Sequence, residues 1–268
     1  MRIALGVEYD GSAFCGWQKQ RAPCSIQGIL EGALSQIACE RVSVVSAGRT
    51  DAGVHALGQV VHFDTQARRP LSAWVRGSNA LLTGSVCVLW AHPVPDAFHA
   101  RYSALSRCYR YVLLNHPVRP ALQRGGLGWY HRKLDATVMH AAAQSLVGEH
   151  DYSAFRAAEC QAKTPVRTLY RANVARRGDF VLFEFCANAF LQHMVRNIVG
   201  SLIAVGNGNR ALPWMSELLR ARNRTLAGAT AAAAGLYLAA VQYADEWQLP
   251  PDGARDMIPD DTLETGFE

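Results

Sequence analysis

The most reactive grouping in the 268-residue sequence is the segment Ser46-Ala47-Gly48-Arg49-Thr50-Asp51-Ala52-Gly53-Val54-His55-Ala56. It offers a carboxylate at Asp51, a guanidinium two residues earlier and an imidazole four residues later, with glycines that permit tight turns. The connection is longer than a hairpin needs, and long ordered loops tend to carry function. The same spacing also fits a plain turn, with Asp51 bonding its own backbone and Arg49 as a surface partner. His55, between Val54 and Ala56, reads as a histidine that structures the loop rather than one that moves protons.

The elements that must position this loop follow from hydrophobic periodicity. Residues 2–9 read as a strand in which Ile3, Leu5, Val7 and Tyr9 alternate with smaller or polar residues. Ser25 suits the N-cap of a helix over 26–38, with Ile26, Ile29, Leu30, Ala33, Leu34 and Ile37 on one stripe. A short strand at 42–46, the loop at 47–57, a strand at 58–64, a helix from Pro70 with Leu71, Trp74, Val75 and Leu81 inward, and a strand at 86–92 complete a β-α-β-β-α-β order. The second half gives a strand at 107–114, a helix at 135–147 capped by Asp135, and a hairpin of 166–176 and 179–187 turning at Arg177-Gly178-Asp179. An apolar helix at 189–205, a short one at 213–221 and a strand at 235–243 follow, repeating the order with one extra helix. The expected fold is α+β, with two ferredoxin-like halves whose mostly antiparallel sheets are flanked by helices. They span residues 1–104 and 105–244, and an acidic, aperiodic tail at 245–268 is expected to be mobile.

Composition narrows the partners. Half of the residues are apolar and 18% are charged, which excludes a disordered or fibrous chain. No run of about 18 apolar residues exists and no signal-peptide core opens the chain, so the expectation is a soluble, cytoplasmic protein with no membrane contact. The seven cysteines are scattered and never form C-x-x-C, which reads as reduced, mostly buried thiols and no zinc site. The net charge of +5 hides two unlike parts: the first 244 residues carry +12 and the tail −7. Of 27 bases 24 are arginine, whose forks suit phosphate. A genome rich in Arg codons is an equally open source of that ratio, but not of the charge, which is the footprint of a nucleic-acid binder.

GRTDAGVHA followed by GQVVHFDT resembles the signature of the TruA family of tRNA pseudouridine synthases. Tyr9-Asp10-Gly11-Ser12 with Gly16-Trp17-Gln18 resembles the family's opening motif, and Ser25-Ile26-Gln27-Gly28-Ile29-Leu30-Glu31 its following helix. FHARYSALSRCYRY at 98–111, NAFLQHMVRNIVG at 188–200 and GLYL at 235–238 resemble further motifs in the right order. The resemblance covers residues 3 to 243 and stops before the tail.

The resemblance implies a pseudouridine synthase fold and an isomerase that cleaves the N1–C1′ bond of a tRNA uridine, turns the base and rejoins it through C5, with no cofactor and no metal. Family targets are uridines 38, 39 and 40 of the anticodon stem-loop, and the family works as a homodimer. Cleavage requires a carboxylate at the ribose, which the resemblance assigns to Asp51. A carboxylate closed over by RNA drifts toward protonation unless a cation opposes it; the match places Arg196 in that role, and a buried structural ion pair would look the same. Tyr109 matches the tyrosine that packs on the target base, although Tyr109, Tyr111 and Leu113 on one strand face also fit a core. Arg49 resembles the arginine that fills the space left by the flipped base, and Leu191 is expected to line the uracil pocket. Candidates for the phosphate track are Arg2, Lys19, Arg21, Arg68, Arg69, Arg107, Arg110, Arg167 and Arg171.

Two rival readings keep the scaffold: a non-catalytic tRNA-binding protein or chaperone, and a synthase with another RNA target. The stretch Arg177–Phe185 is a faint match to an RNA-recognition strand but carries Asp179 where an aromatic or Gly belongs, so it reads as a hairpin with Val181, Phe183 and Phe185 in the core. Gly206-Asn207-Gly208 reads as a helix stop and not a nucleotide-binding fingerprint. The tail could fold back on the basic body and screen weak, non-cognate RNA.

Overall fold

The computed structural model describes residues 1–20 and 24–250. The first half runs β1 (Arg2–Tyr9), α1 (Ile26–Ala38), β2 (Val45–Ser46), β3 (His55–Asp64), a π-turn at Ala73–Gly77 leading into α2 (Ser78–Leu81), and β4 (Val86–Val94). The second runs β5 (Ala104–Asn115), β6 (Gly128–Tyr130), α3 (Ala136–Gln144), β7 (Gly148–Asp151), β8 (Val166–Arg177), β9 (Phe180–Ala187), α4 (Met194–Gly206), α5 (Trp214–Ala221) and β10 (Leu236–Tyr243). All ten strands form one sheet ordered β4-β1-β3-β10-β5-β9-β8-β7, with β2 on β3 and β6 on β5. Within each half the order is the same: β4-β1-β3-β2 in the first and β10-β5-β9-β8 in the second. Most pairings are antiparallel. The halves meet in a short parallel bridge, Tyr237 to His55 and Leu238 to Ala56, so the joint of the sheet lies at the first residues of β3.

Local chemistry accounts for the elements. Ser25 Oγ accepts from Gly28 N at 3.2 Å and Asp135 Oδ1 from Val138 N at 3.0 Å, satisfying N-terminal amides of α1 and α3. Gly178, with a positive φ, turns the β8–β9 hairpin, and Val181, Phe183 and Phe185 are fully buried on its inner face. α4 stops at Gly206-Asn207-Gly208, where Gly208 takes φ +79°. β1 and β3 are buried on both faces rather than alternating, because each is flanked by strands on both sides within the sheet and covered above and below.

Several expectations need correction. Leu71 and Leu81 point to solvent, since the π-turn shifts the helix phase and leaves Trp74 as its buried anchor against Phe63. α4 begins at Met194 and not at 189, because His193 adopts a left-handed backbone that ends the preceding loop. The cysteines are neither all reduced nor mostly buried: Cys15 pairs with Cys24 and Cys108 with Cys186, and only Cys160 and Cys186 are buried. Cys108 and Cys186 are direct cross-strand partners on β5 and β9, 4.2 Å apart at Cα, a juxtaposition that only strand register creates. The tail boundary also moves. Residues 245–250 belong to the body, with a helical turn at Asp245–Trp247 and the Trp247 ring 5.4 Å from Phe98. The rest of the acidic tail lies outside the described residues.

The buried face around Phe98 generates a pH dependence. His62 on β3 accepts from Ala100 N through Nδ1 at 3.1 Å and lies among Phe98, His99, Arg2 and Asp64. Burial, then the positive charges of Arg2 and His99, pull its pKa down to about 4, against a smaller opposing pull from Asp64. The unfolded chain binds this proton first, so stability is full above about pH 6.5 and is lost as pH falls toward 4. The melting temperature is expected to drop by roughly 3–6 °C between pH 6.5 and 4.5. In His62→Asn, which keeps an acceptor but cannot titrate, calorimetry should show a flatter profile over that interval.

Candidate active site

Asp51 sits on the loop that joins β2 to β3, and that loop is held from four directions. Gln59, fully buried on β3, donates from Nε2 to Gly48 O at 2.7 Å and accepts from Gly48 N at 3.4 Å. Tyr9 on β1 shares a 2.8 Å hydrogen bond with Thr50 Oγ1. Trp17 N donates to Thr50 O at 3.0 Å, and Val54 N closes a turn onto Asp51 O at 3.1 Å. Gly16 lies against this backbone with φ +97°, where a Cβ would stand 2.8 Å from Thr50 O; no other residue fits there. The opening Tyr-Asp-Gly and Gly-Trp motifs thus serve as the cradle of the Asp51 loop.

The charge partner comes from the other half. Arg196, in the first turn of α4, brings Nη1 to 3.4 Å from Asp51 Oδ2 across 145 residues of chain. Its Nε donates to Ala231 O at 2.8 Å, and Ala231 N donates back to Arg196 O. His193, one turn earlier, places Nε2 3.4 Å from the same Oδ2. The sequence reading does not include this histidine; the available signal is its position three residues before Arg196, at the mouth of the apolar helix.

The remaining candidates fall into distinct places. Tyr109 on β5 is buried, with Phe190 edge-on at 5.0 Å, and its hydroxyl is the nearest atom to the space beside Gly48. Burial, with Tyr9 and the Asp51 carboxylate nearby, pushes its phenol well above the ordinary range. Leu191 is buried in the loop before α4. Arg49 is exposed and makes no hydrogen bond or ion pair with any described residue. His55 is held structurally: Nδ1 accepts from Gly11 N at 3.1 Å, Nε2 meets Gly125 O and Ala234 O at 2.8 and 3.0 Å, and the ring stacks on Tyr237.

The expected phosphate track divides. Arg107 is removed from it: buried, it donates to the carbonyls of Ala47, Ala104, Asn188 and Arg101, tying the Asp51 loop to the loop before α4. Arg2 forks onto Asp64 and also donates to Asp96 O and Phe98 O. Arg110 and Arg171 both face Glu184, Lys19 pairs with Glu31, and Arg167 donates to Thr164 O and Val166 O. Arg69 bonds Ile37 O, Arg68 is exposed, and Arg21 lies outside the described residues. Exposed bases outside that expected track are Arg119, Arg124, Arg132 and Lys133. A local charge tally marks them, because residues 97–134 hold seven bases and no acid. Among the described residues no helix is long and apolar enough to cross a membrane, and no group of three His, Cys, Asp or Glu is arranged to hold a metal.

A carboxylate on a loop of one ferredoxin-like half, gripped by an arginine from the other at the joint of a shared sheet, defines a two-half α+β enzyme scaffold. The family description that matches the chain is tRNA pseudouridine synthase, over residues 6–103 and 142–244, and the chain belongs to that family. Both Asp51 and Arg196 lie in the matched segments. The chain is 54% identical to tRNA pseudouridine synthase A of Shewanella frigidimarina over 250 residues, covering 93% of this chain and 96% of that protein. It is 54% identical to the protein of the same name from Thiobacillus denitrificans, at 95% and 98% coverage. With that of Nitrosomonas eutropha the identity is 56%, at 93% and 90% coverage. A solved Cbf5-Nop10-Gar1 complex aligns with a TM-score of 0.33 at 11% identity, covering 87% of this chain and 47% of that one, a likeness too loose to define the fold further.

Removing Arg107 orphans several buried carbonyls at once. Arg107→Met is expected to lower the unfolding free energy by roughly 2–4 kcal/mol in urea titrations, the scale of buried acceptors left without donors. A stability within 0.5 kcal/mol of the parent, an order-of-magnitude surface effect, would return Arg107 to the pool of RNA-facing bases.

Proposed function

We propose that this protein isomerises uridine to pseudouridine in tRNA, at positions 38, 39 and 40 of the anticodon stem-loop, as a cytoplasmic homodimer and without a cofactor. The observation that carries the reading is the Asp51–Arg196 pair at 3.4 Å, formed by two distant segments of a chain that belongs to the tRNA pseudouridine synthase family. The halves at 1–104 and 105–244 act as the two jaws of this site, one supplying the carboxylate and the other its counter-charge.

In this reading the Asp51 carboxylate meets the ribose side of the target uridine, either adding to the sugar or ring or taking a sugar proton, as the glycosidic bond breaks. Arg196 supplies the positive charge facing that carboxylate at a site from which bound RNA excludes water. A uridine within a stacked arm must leave its stack before C1′ can be reached. Tyr109 and Leu191, both buried, are the aromatic and apolar groups assigned to the extruded base, while Arg49, exposed and without a partner among the described residues, is assigned to the space the base leaves. The basic body, +12 over the first 244 residues, supplies the phosphate attraction.

The test is tritium release from tRNA labelled at uridine C5. The parent protein is expected to release tritium from the anticodon arm, and Asp51→Asn to release it at least about 1,000-fold more slowly. Absence of release from any tRNA would favour a binding protein or chaperone, and release from a uridine elsewhere would favour another target. Arg196→Met is expected to stay folded by circular dichroism and to lose roughly 100-fold or more in rate, the scale of removing one preorganised electrostatic partner. Near-normal turnover in a folded Arg196→Met would remove the role assigned to it.

A further inference from the structure

We propose that His193 is a positioning residue of the isomerase, holding the Asp51 carboxylate by one oxygen so that the other is presented to the substrate. The inference rests on the isomerase reading above and adds a residue to it. Three features of the geometry meet at this side chain.

The first is the shared target. His193 Nε2 and Arg196 Nη1 each stand 3.4 Å from Asp51 Oδ2, and among the described residues no hydrogen bond reaches Oδ1. The Arg196 hydrogen bond and the His193 imidazole at ion-pair distance, both on one oxygen, favour one rotation of the carboxylate about its Cβ–Cγ bond. One partner alone leaves that rotation looser. Such contacts are commonly long before substrate binds and tighten when it closes the site.

The second is the backbone. His193 has φ 61° and ψ 3°, a left-handed conformation that costs a residue with a Cβ roughly 1–2 kcal/mol. The third follows from the second: His193 stands at the N-cap of α4, and with a left-handed backbone in place of the extended one that capping uses it makes no capping hydrogen bond. Both local costs are borne by a side chain that turns away from its own helix and toward Asp51. With this left-handed residue closing the loop that carries Leu191, α4 starts at Met194, and His193 and Arg196 both reach Asp51.

A merely structural histidine and a positioning one respond oppositely to two substitutions. Asn is the better left-handed residue but is too short to reach Oδ2, whereas Gln can place its amide nitrogen near the position of Nε2. The left-handed backbone itself is open to Gln in this chain, as Gln123 and Gln248 adopt it. Single-turnover tritium release and the KM for tRNA are measured for the parent, His193→Ala, His193→Asn and His193→Gln. The expected result is a loss of roughly 10- to 100-fold in rate for Ala and Asn, the scale of a mispositioned reacting group, with KM changed less than about twofold. His193→Gln should recover most of the lost rate. The proposal is overturned if Asn equals or exceeds Gln, if all three variants turn over like the parent, or if the loss appears in KM alone. No release from the parent protein would instead count against the isomerase reading itself.

Discussion

The ion pair between Asp51 and Arg196 is the contact on which the arrangement of the molecule depends. The two groups are 145 residues apart and belong to different halves, so neither half can complete the site. Arg196 is locked to Ala231 at its side chain and its carbonyl, Ala231 leads into β10, β10 pairs with the first residues of β3, and β3 emerges from the Asp51 loop. The covalent chain, the sheet joint and the ion pair thus form a closed circuit. A half-buried pair of this kind adds little net stability once desolvation is counted; its value is in fixing how the two halves register.

Around that pair the protein invests in rigidity of backbone rather than in further charge. Gln59 and Tyr9 grip the residues just before Asp51, Gly16 lets the neighbouring segment come within contact of it, and Arg107 ties Ala47 to Asn188 in the opposing loop. The groups that must meet substrate are few, and the groups that hold them are many. That ratio is the physical condition for preorganisation, because a carboxylate held by locked neighbours needs no reorganisation when charge develops.

Much of this was legible from residue order. The 2-residue and 3.6-residue periodicities placed β1, α1, β5, the β8–β9 hairpin and β10, and Ser25 and Asp135 marked helix starts, because these signals depend on local geometry alone. The segment carrying Asp51 stood out by length and composition, and the resemblance pointed to Arg196. Other features were invisible for equally physical reasons. The Cys108–Cys186 pair depends on cross-strand register, the inward turn of Arg107 on four carbonyls from three segments, and the exposure of Leu71 and Leu81 on a π-turn that periodicity assumes away.

The sequence by itself determined the alternation of elements, the basic body with its acidic end, and the presence of a carboxylate loop with a family signature. Those properties are sums over neighbours in the chain, and neighbours are what a sequence specifies. The tertiary structure alone decided that Asp51 faces both Arg196 and His193, which carbonyls hold His55, and which arginines are taken up by carbonyls and carboxylates. Each of those outcomes is a distance between segments far apart in the chain, fixed only when the halves close into one sheet and every buried donor must find an acceptor.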